Sequence, residues 1–132
     1  MPLTYRVGND LNADELAALY RRASLNRPID DLTRMGKMIE NANFIISAWD
    51  GQRLVGVSRS VTDFVYCCYL SDLAVDPEYQ KLGIGQELVR RTQEALGDEV
   101  MILLLSVPAA MEYYPKIGFE KNDRAFMIPR KR

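Results

Sequence analysis

The chain has 132 residues, 48% hydrophobic and 27% charged, enough for one ordinary globular domain to bury a core without covalent staples. Lys and Arg total 17 against 18 Asp and Glu, so no overall field would hold the protein on nucleic acid or an anionic membrane. No histidine is present, which excludes His-based metal sites and Ser-His or Cys-His nucleophilic triads.

No stretch approaches the roughly 20 apolar residues of a membrane span, and the N-terminus lacks the charged-then-apolar pattern of a signal peptide. A cytosolic protein with a single domain over residues 1–132 is the expectation. In chain order, Leu3 to Val7 reads as a short strand, and Asn12 offers a helix N-cap with Glu15 at the N3 position of a capping box. Leu16, Leu19 and Tyr20 share one face of the helix that follows, which should stop before Pro28. A second helix is expected after a cap at Asp30 or Asp31, with Leu32, Met35, Met38 and Ile39 on its apolar side. Phe44 to Trp49 and Arg53 to Val61 form an antiparallel strand pair joined at Asp50-Gly51. Phe64 to Val75 is almost continuously apolar, as in a central strand buried on both faces. The adjacent Cys67 and Cys68 lie within it and would point to opposite faces, which disfavours an ordinary disulfide.

Asp76-Pro77 ends that strand. Helical periodicity then runs from Gly83 to Leu96 with Gly97 as C-cap, and Val100 to Leu105 returns as a buried strand. A last helix is expected from Pro108 through Lys116, ended by Gly118, with closing strands near Glu120 and over Ala125 to Ile128. The mixture of hairpins and crossovers predicts an α+β fold: a twisted mixed sheet flanked by helices.

The segment from Leu73 through Gly85, Leu-Ala-Val-Asp-Pro-Glu-Tyr-Gln-Lys-Leu-Gly-Ile-Gly, joins the central strand to a helix. Gly83 and Gly85 permit close backbone approach, and the first amides of the new helix have no intrahelical partners, so the segment suits a phosphate or pyrophosphate. A dinucleotide-binding fingerprint needs its glycines in the first strand-helix turn, and a P-loop needs a Gly-Lys-Ser/Thr ending, whereas this chain continues Gly85-Gln86-Glu87.

Gln80-x-x-Gly83-x-Gly85 after Leu-Ala-Val resembles the acyl-CoA signature of the GNAT superfamily of N-acetyltransferases. Tyr113-Tyr114-Pro115-Lys116-Ile117-Gly118-Phe119 is similar to that family's second signature. The resemblance implies a GNAT-like, mainly antiparallel sheet, acetyl-CoA as cosubstrate and no metal. It implies amides from Gln80, Lys81, Leu82, Gly83, Ile84 and Gly85 around the pyrophosphate. Backbone groups of Leu73, Ala74 and Val75 would hold the pantetheine arm, which enters through a splay beside the central strand. In the family the amide at Leu73 faces the thioester carbonyl, where it would stabilise an oxyanion. Tyr114 matches the position of the general acid that protonates the departing thiolate, with Tyr113 as a packing aromatic.

Departures from the family pattern leave other roles open. Tyr69 stands where histone-modifying relatives have a Glu base, and Asp72 is the nearest carboxylate on the strand. Val107 replaces a usual Asn, making Ser106 a candidate cofactor neighbour. The acceptor cleft of the family is built largely from the first two helices and their connection, which points to Arg27 and Asp30, with Tyr69 as a further lining residue. Asp30 and Asp31 would suit a cationic amine, while Arg27 would suit an acid or phosphate. The expected acceptor is a small primary amine; a protein N-terminus or lysine, or a non-catalytic acyl-CoA-binding role, is the alternative. A homodimer pairing through the apolar Ala125 to Ile128 segment is also expected.

Overall fold

The computed structural model describes residues 2–132. One five-stranded sheet runs in the order β1 (Thr4–Val7), β2 (Phe44–Asp50), β3 (Arg53–Thr62), β4 (Cys67–Val75), β5 (Met101–Leu103). The β1/β2, β2/β3 and β3/β4 pairs are antiparallel and only β4/β5 is parallel, reached through the crossover helix α3 (Ile84–Leu96). This is the mixed, mainly antiparallel architecture that the connections imply.

Both predicted caps form. The Asn12 side chain accepts the amides of Asp14 and Glu15 and starts α1 (Ala13–Arg22), and the Asp31 side chain accepts the amide of Arg34 and starts α2 (Leu32–Asn41). The two helices cover one face of the sheet. Leu16, Leu19, Tyr20 and Met35 are fully buried there against Ile45, Leu54, Val57 and Ala74. Each such side chain contributes about 1.5–3 kcal/mol by leaving water. On the other face α3 sinks Ile84 and Leu88 into a layer with Phe44, Ile46, Ala48 and Val55. Gly56 is required where α3 crosses β3, because a Cβ there would come within 2.7 Å of the Ile84 methyl Cγ2.

Five expectations change. The central strand begins at Cys67, since Phe64 to Tyr66 form a turn: the Asp63 carboxylate accepts the amides of Val65, Tyr66 and Cys67, and Phe64 takes φ 65°. The strand is also buried on one face only over its first half, with Cys67 and Tyr69 exposed and Cys68 and Leu70 buried. The returning strand is limited to Met101–Leu103 and is largely exposed. The last helix is broken into a 3₁₀ turn at Pro108–Ala110 and the single turn α4 (Tyr113–Lys116), and no closing strand forms at Glu120 or at Ala125 to Ile128. A strand needs a partner, and the outer edge of β5 offers only a short ladder; Phe126 and Ile128 are consequently 98% and 97% exposed.

Candidate active site

The site forms where β4 and β5 part. Arg59 pairs with Asp72 but Ser60 pairs with Leu70, so β4 carries one extra residue, Ser71, in a β-bulge. A bulge bends its strand and increases local twist. The β4/β5 ladder ends at Tyr69 opposite Leu103, and from Leu70 to Val75 β4 has no strand partner on that side. The backbone of Leu73, Ala74 and Val75 therefore borders the gap, or groove, left in the ladder where β4 has no strand partner.

At the end of that groove β4 passes into a 3₁₀ turn, Pro77–Leu82, and then into α3. Asp76 builds the corner. It is 1% exposed, accepts the Glu78 amide, and binds Arg22 at 2.8 Å and Arg53 at 2.9 Å. Burial alone would raise its carboxyl, but the Glu78 amide and the two guanidiniums outweigh it, and its pKa lies below the ordinary value. Gly83 is both the end of the turn and the N-cap of α3, at φ 74°, in the left-handed region that favours glycine. No side chain caps α3, and the first bond across its entry runs from the Glu87 amide to the Gly83 carbonyl. The amides of Ile84, Gly85 and Gln86 thus lack intrahelical partners and carry the positive end of the helix dipole. Gln80, Lys81, Leu82 and Gly83 are exposed around them, while the buried Ile84 anchors the entry to the core. These groups fit a phosphate-bearing cosubstrate such as acetyl-CoA.

Tyr114 is half-buried, edge-on to Tyr113 at 5.3 Å and to Phe119 at 5.7 Å between ring centroids. Burial, assisted by Tyr113 and opposed by the charge of Arg27, raises its hydroxyl pKa, so the phenol stays protonated at neutral pH. Tyr113 does more than pack. A Cβ on Gly85 would lie 2.5 Å from the Tyr113 hydroxyl oxygen and 3.7 Å from Val75 Cγ2, which puts this second hydroxyl at the α3 entry. The family resemblance implied a packing aromatic at Tyr113; the glycine opposite it could not be paired with it from sequence.

Asp72 is not placed as a proton acceptor. It is 0% exposed, and its carboxylate accepts Arg59 Nε at 2.5 Å and the Tyr20 hydroxyl at 2.7 Å on one oxygen. The other oxygen accepts Arg27 Nε at 2.6 Å and the Ser71 hydroxyl at 3.2 Å. A carboxylate offers about four lone-pair sites, and all are occupied. Burial alone would raise the Asp72 pKa, but the bond and charge of Arg59, the charge of Arg27 and the Tyr20 bond lower it. Burial, then the charge and hydrogen bond of Asp72, drives the Tyr20 hydroxyl well above its ordinary value. Arg59, Tyr20 and Ser71 are the members of this cluster that sequence reasoning missed. The available signal was a pair of opposite charges, Arg59 and Asp72, set in the interiors of two strands that become neighbours.

Of the remaining expected residues, Arg27 joins the cluster from the α1–α2 connection, but Asp30 does not. The Asp30 side chain is 96% exposed and meets only Arg21, at 3.4 Å. Tyr69 stands at the last β4/β5 pair, 37% exposed. Ser106 donates its hydroxyl to the Val107 carbonyl at 2.7 Å, which gives it no visible link to the helix entry.

Comparison with known proteins bears on the family and the fold. The model of the acetyltransferase (GNAT) family matches residues 11–119. A Glycine max protein named as a probable acetyltransferase is 25% identical over 133 residues, covering 91% of this chain and 52% of its own length. The chain thus spans about half the length of that relative. Among solved structures, a GNAT family acetyltransferase of Streptococcus pneumoniae superposes with a TM-score of 0.80 at 23% identity, covering 99% of both chains. An aminoglycoside N-acetyltransferase solved with CoA superposes with a TM-score of 0.72 at 14% identity, over 98% of this chain and 95% of its own. These two likenesses establish the fold.

Proposed function

Because the chain belongs to the acetyltransferase (GNAT) family, we propose that it moves the acetyl group of acetyl-CoA directly to the primary amine of a small molecule. The observation that carries this reading is the uncapped entry of α3, which follows directly on the half of β4, Leu70 to Val75, that has no strand partner on the β5 side. Phosphates would be held by the amides from Gln80 to Gly85, and the thioester would lie along Leu73 to Val75, with the Leu73 amide positioned for the carbonyl oxygen. Acetyl-CoA supplies an activated acyl group and a thiolate leaving group. The chain supplies orientation and a proton: Tyr114, kept protonated by its surroundings, donates to the departing sulfur.

An alkylamine is ~99.9% protonated at pH 7, so the acceptor must lose a proton before attack. With Asp72 saturated by donors, we assign that proton to solvent in the open groove rather than to a carboxylate of β4. The exposed Ala125–Ile128 segment and the unpaired outer edge of β5 further support a homodimer, which sedimentation showing a monomer at micromolar concentration would disprove.

The test of the cosubstrate site is calorimetric titration of acetyl-CoA, and separately of CoA, into the wild type, Gly83→Glu and Gly83→Asn. Asn tolerates the left-handed backbone and should retain binding, whereas Glu places a carboxylate among the amides and should abolish it. Absence of binding to the wild type would overturn the reading.

A further inference from the structure

The charge of the acceptor is legible in the cluster that holds Arg27, given the reading of the chain as an amine acetyltransferase with Tyr114 at the reacting centre. The α1–α2 connection carries candidates of both signs, and the fold separates them. Asp30 points to solvent with Arg21. Asp31 is spent on capping α2. Asp72 is enclosed by Arg59 and Arg27 together, so this cluster of two guanidiniums and one carboxylate is cationic overall. Tyr20 does not alter the balance, because its hydroxyl is neutral at physiological pH.

Arg27 is the more accessible guanidinium of this cluster. Its side chain is 25% exposed, against 10% for Arg59. It is held by Asp72 at 2.6 Å through Nε, by the Ser71 carbonyl at 2.8 Å and by the Asn26 carbonyl at 2.6 Å. A guanidinium has five N–H donors, and these bonds leave one on each terminal nitrogen. Ser71 is the bulge residue two positions past Tyr69, the last residue of β4 paired with β5, and Leu73 lies two strand positions beyond it, about 7 Å along the chain. The influence of Arg27 on the Tyr114 hydroxyl puts the guanidinium within electrostatic reach of the acid.

We propose that Arg27 binds an anionic group of the acceptor, so that the substrate is a compact zwitterion, an amino acid or close analogue carrying a carboxylate a few atoms from the amine that is acetylated. A pre-anchored guanidinium pairs with a carboxylate through parallel N–H bonds and loses little freedom in doing so. The same charge repels polycationic acceptors. Arg27 is a specificity residue: it selects and orients the amine and takes no proton.

The experiment uses pairs of amines that differ only in the carboxylate, such as lysine against cadaverine, together with a polycationic aminosugar. Acetyl transfer is measured by CoA release, and binding of each amine is measured separately by calorimetry with free CoA present. The wild type should prefer the carboxylate-bearing member about 10- to 100-fold in kcat/KM, the factor expected of a charge-assisted hydrogen bond. Arg27→Gln should erase that preference through KM, with acetyl-CoA affinity unchanged. Arg27→Lys should retain part of it, and thermal melts confirm that each variant is folded. Preference for the decarboxylated amine or the aminosugar in the wild type, or equal loss on both members of a pair in Arg27→Gln, would overturn the proposal. Selective binding of the zwitterion without transfer would uphold Arg27 recognition and refute the catalytic reading instead. Binding that fails to discriminate within the pairs refutes the proposal whatever the turnover.

Discussion

Replacing Asp72 with Asn tests the site at its structural centre. Asn preserves side-chain volume, so the perturbation is the loss of one buried negative charge between Arg59, 10% exposed, and Arg27, 25% exposed. Removing one partner of a buried ion pair costs about 3–5 kcal/mol, because the remaining charge stays desolvated without compensation. Here Arg59 bears most of that cost, since Arg27 can turn toward water. The expected loss is a large fraction of the roughly 5–15 kcal/mol available to a domain of this kind. It corresponds to a fall in Tm of about 10–20 °C. Urea unfolding followed through Trp49, the one tryptophan and a buried residue, reads the change directly. Asp72→Asn with Arg59→Met should recover part of the loss, because the orphaned charge is removed along with its partner. A loss below about 1 kcal/mol for Asp72→Asn would refute the view of Asp72 as a saturated structural anion.

Tyr114→Phe should lower kcat about 100-fold or more while the melting temperature stays near that of the wild type; a small effect would remove Tyr114 from the role of acid. Gly56→Ala should destabilise by about 1–3 kcal/mol, measured by urea unfolding, because its Cβ would press on the fully buried Ile84 at 2.7 Å. Acid should unfold the protein progressively. Asp63, through its backbone amide bonds, and Glu87, through Arg90 and Arg91, titrate at about 2, and Asp72 and Asp76 also lie below their ordinary values. Groups with depressed folded-state pKa values contribute stability that is complete above their unfolded pKa, near 4, and is lost as pH falls through the folded values. Stability measured from pH 6 downward should therefore hold to about pH 5 and decline below 4; a rise in that window would contradict the signs of these shifts.

The local code of the chain was enough to place the cap at Asn12, to narrow the second cap to Asp30 or Asp31, and to place the apolar face of α1, that of α2 apart from the exposed Leu32, the Asp50-Gly51 hairpin and the glycine-rich entry to α3. Each of these depends on neighbours only a few residues apart: a side chain meeting a nearby amide, a repeat of one helical turn, or a backbone angle that glycine accepts. The family resemblance was legible for the same reason, because its two signatures are short and contiguous.

Pairing across the fold decided the rest. In sequence Asp72 is only the nearest strand carboxylate, open to a role as base or to a structural one, and the packing of α1, β3 and the α1–α2 connection against β4 surrounds it with Tyr20, Arg59 and Arg27. The Ser71 bulge cannot be seen in β4 alone, since a bulge is a mismatch in count between two strands. The Ala125 to Ile128 segment has strand-like composition but forms no strand, because extended backbone is stabilised by a neighbour and composition cannot provide one. Sequence determined which segments could be helix, strand or phosphate-binding turn; tertiary structure decided which charges neutralise one another and which one, the part-exposed Arg27, retains unused donors.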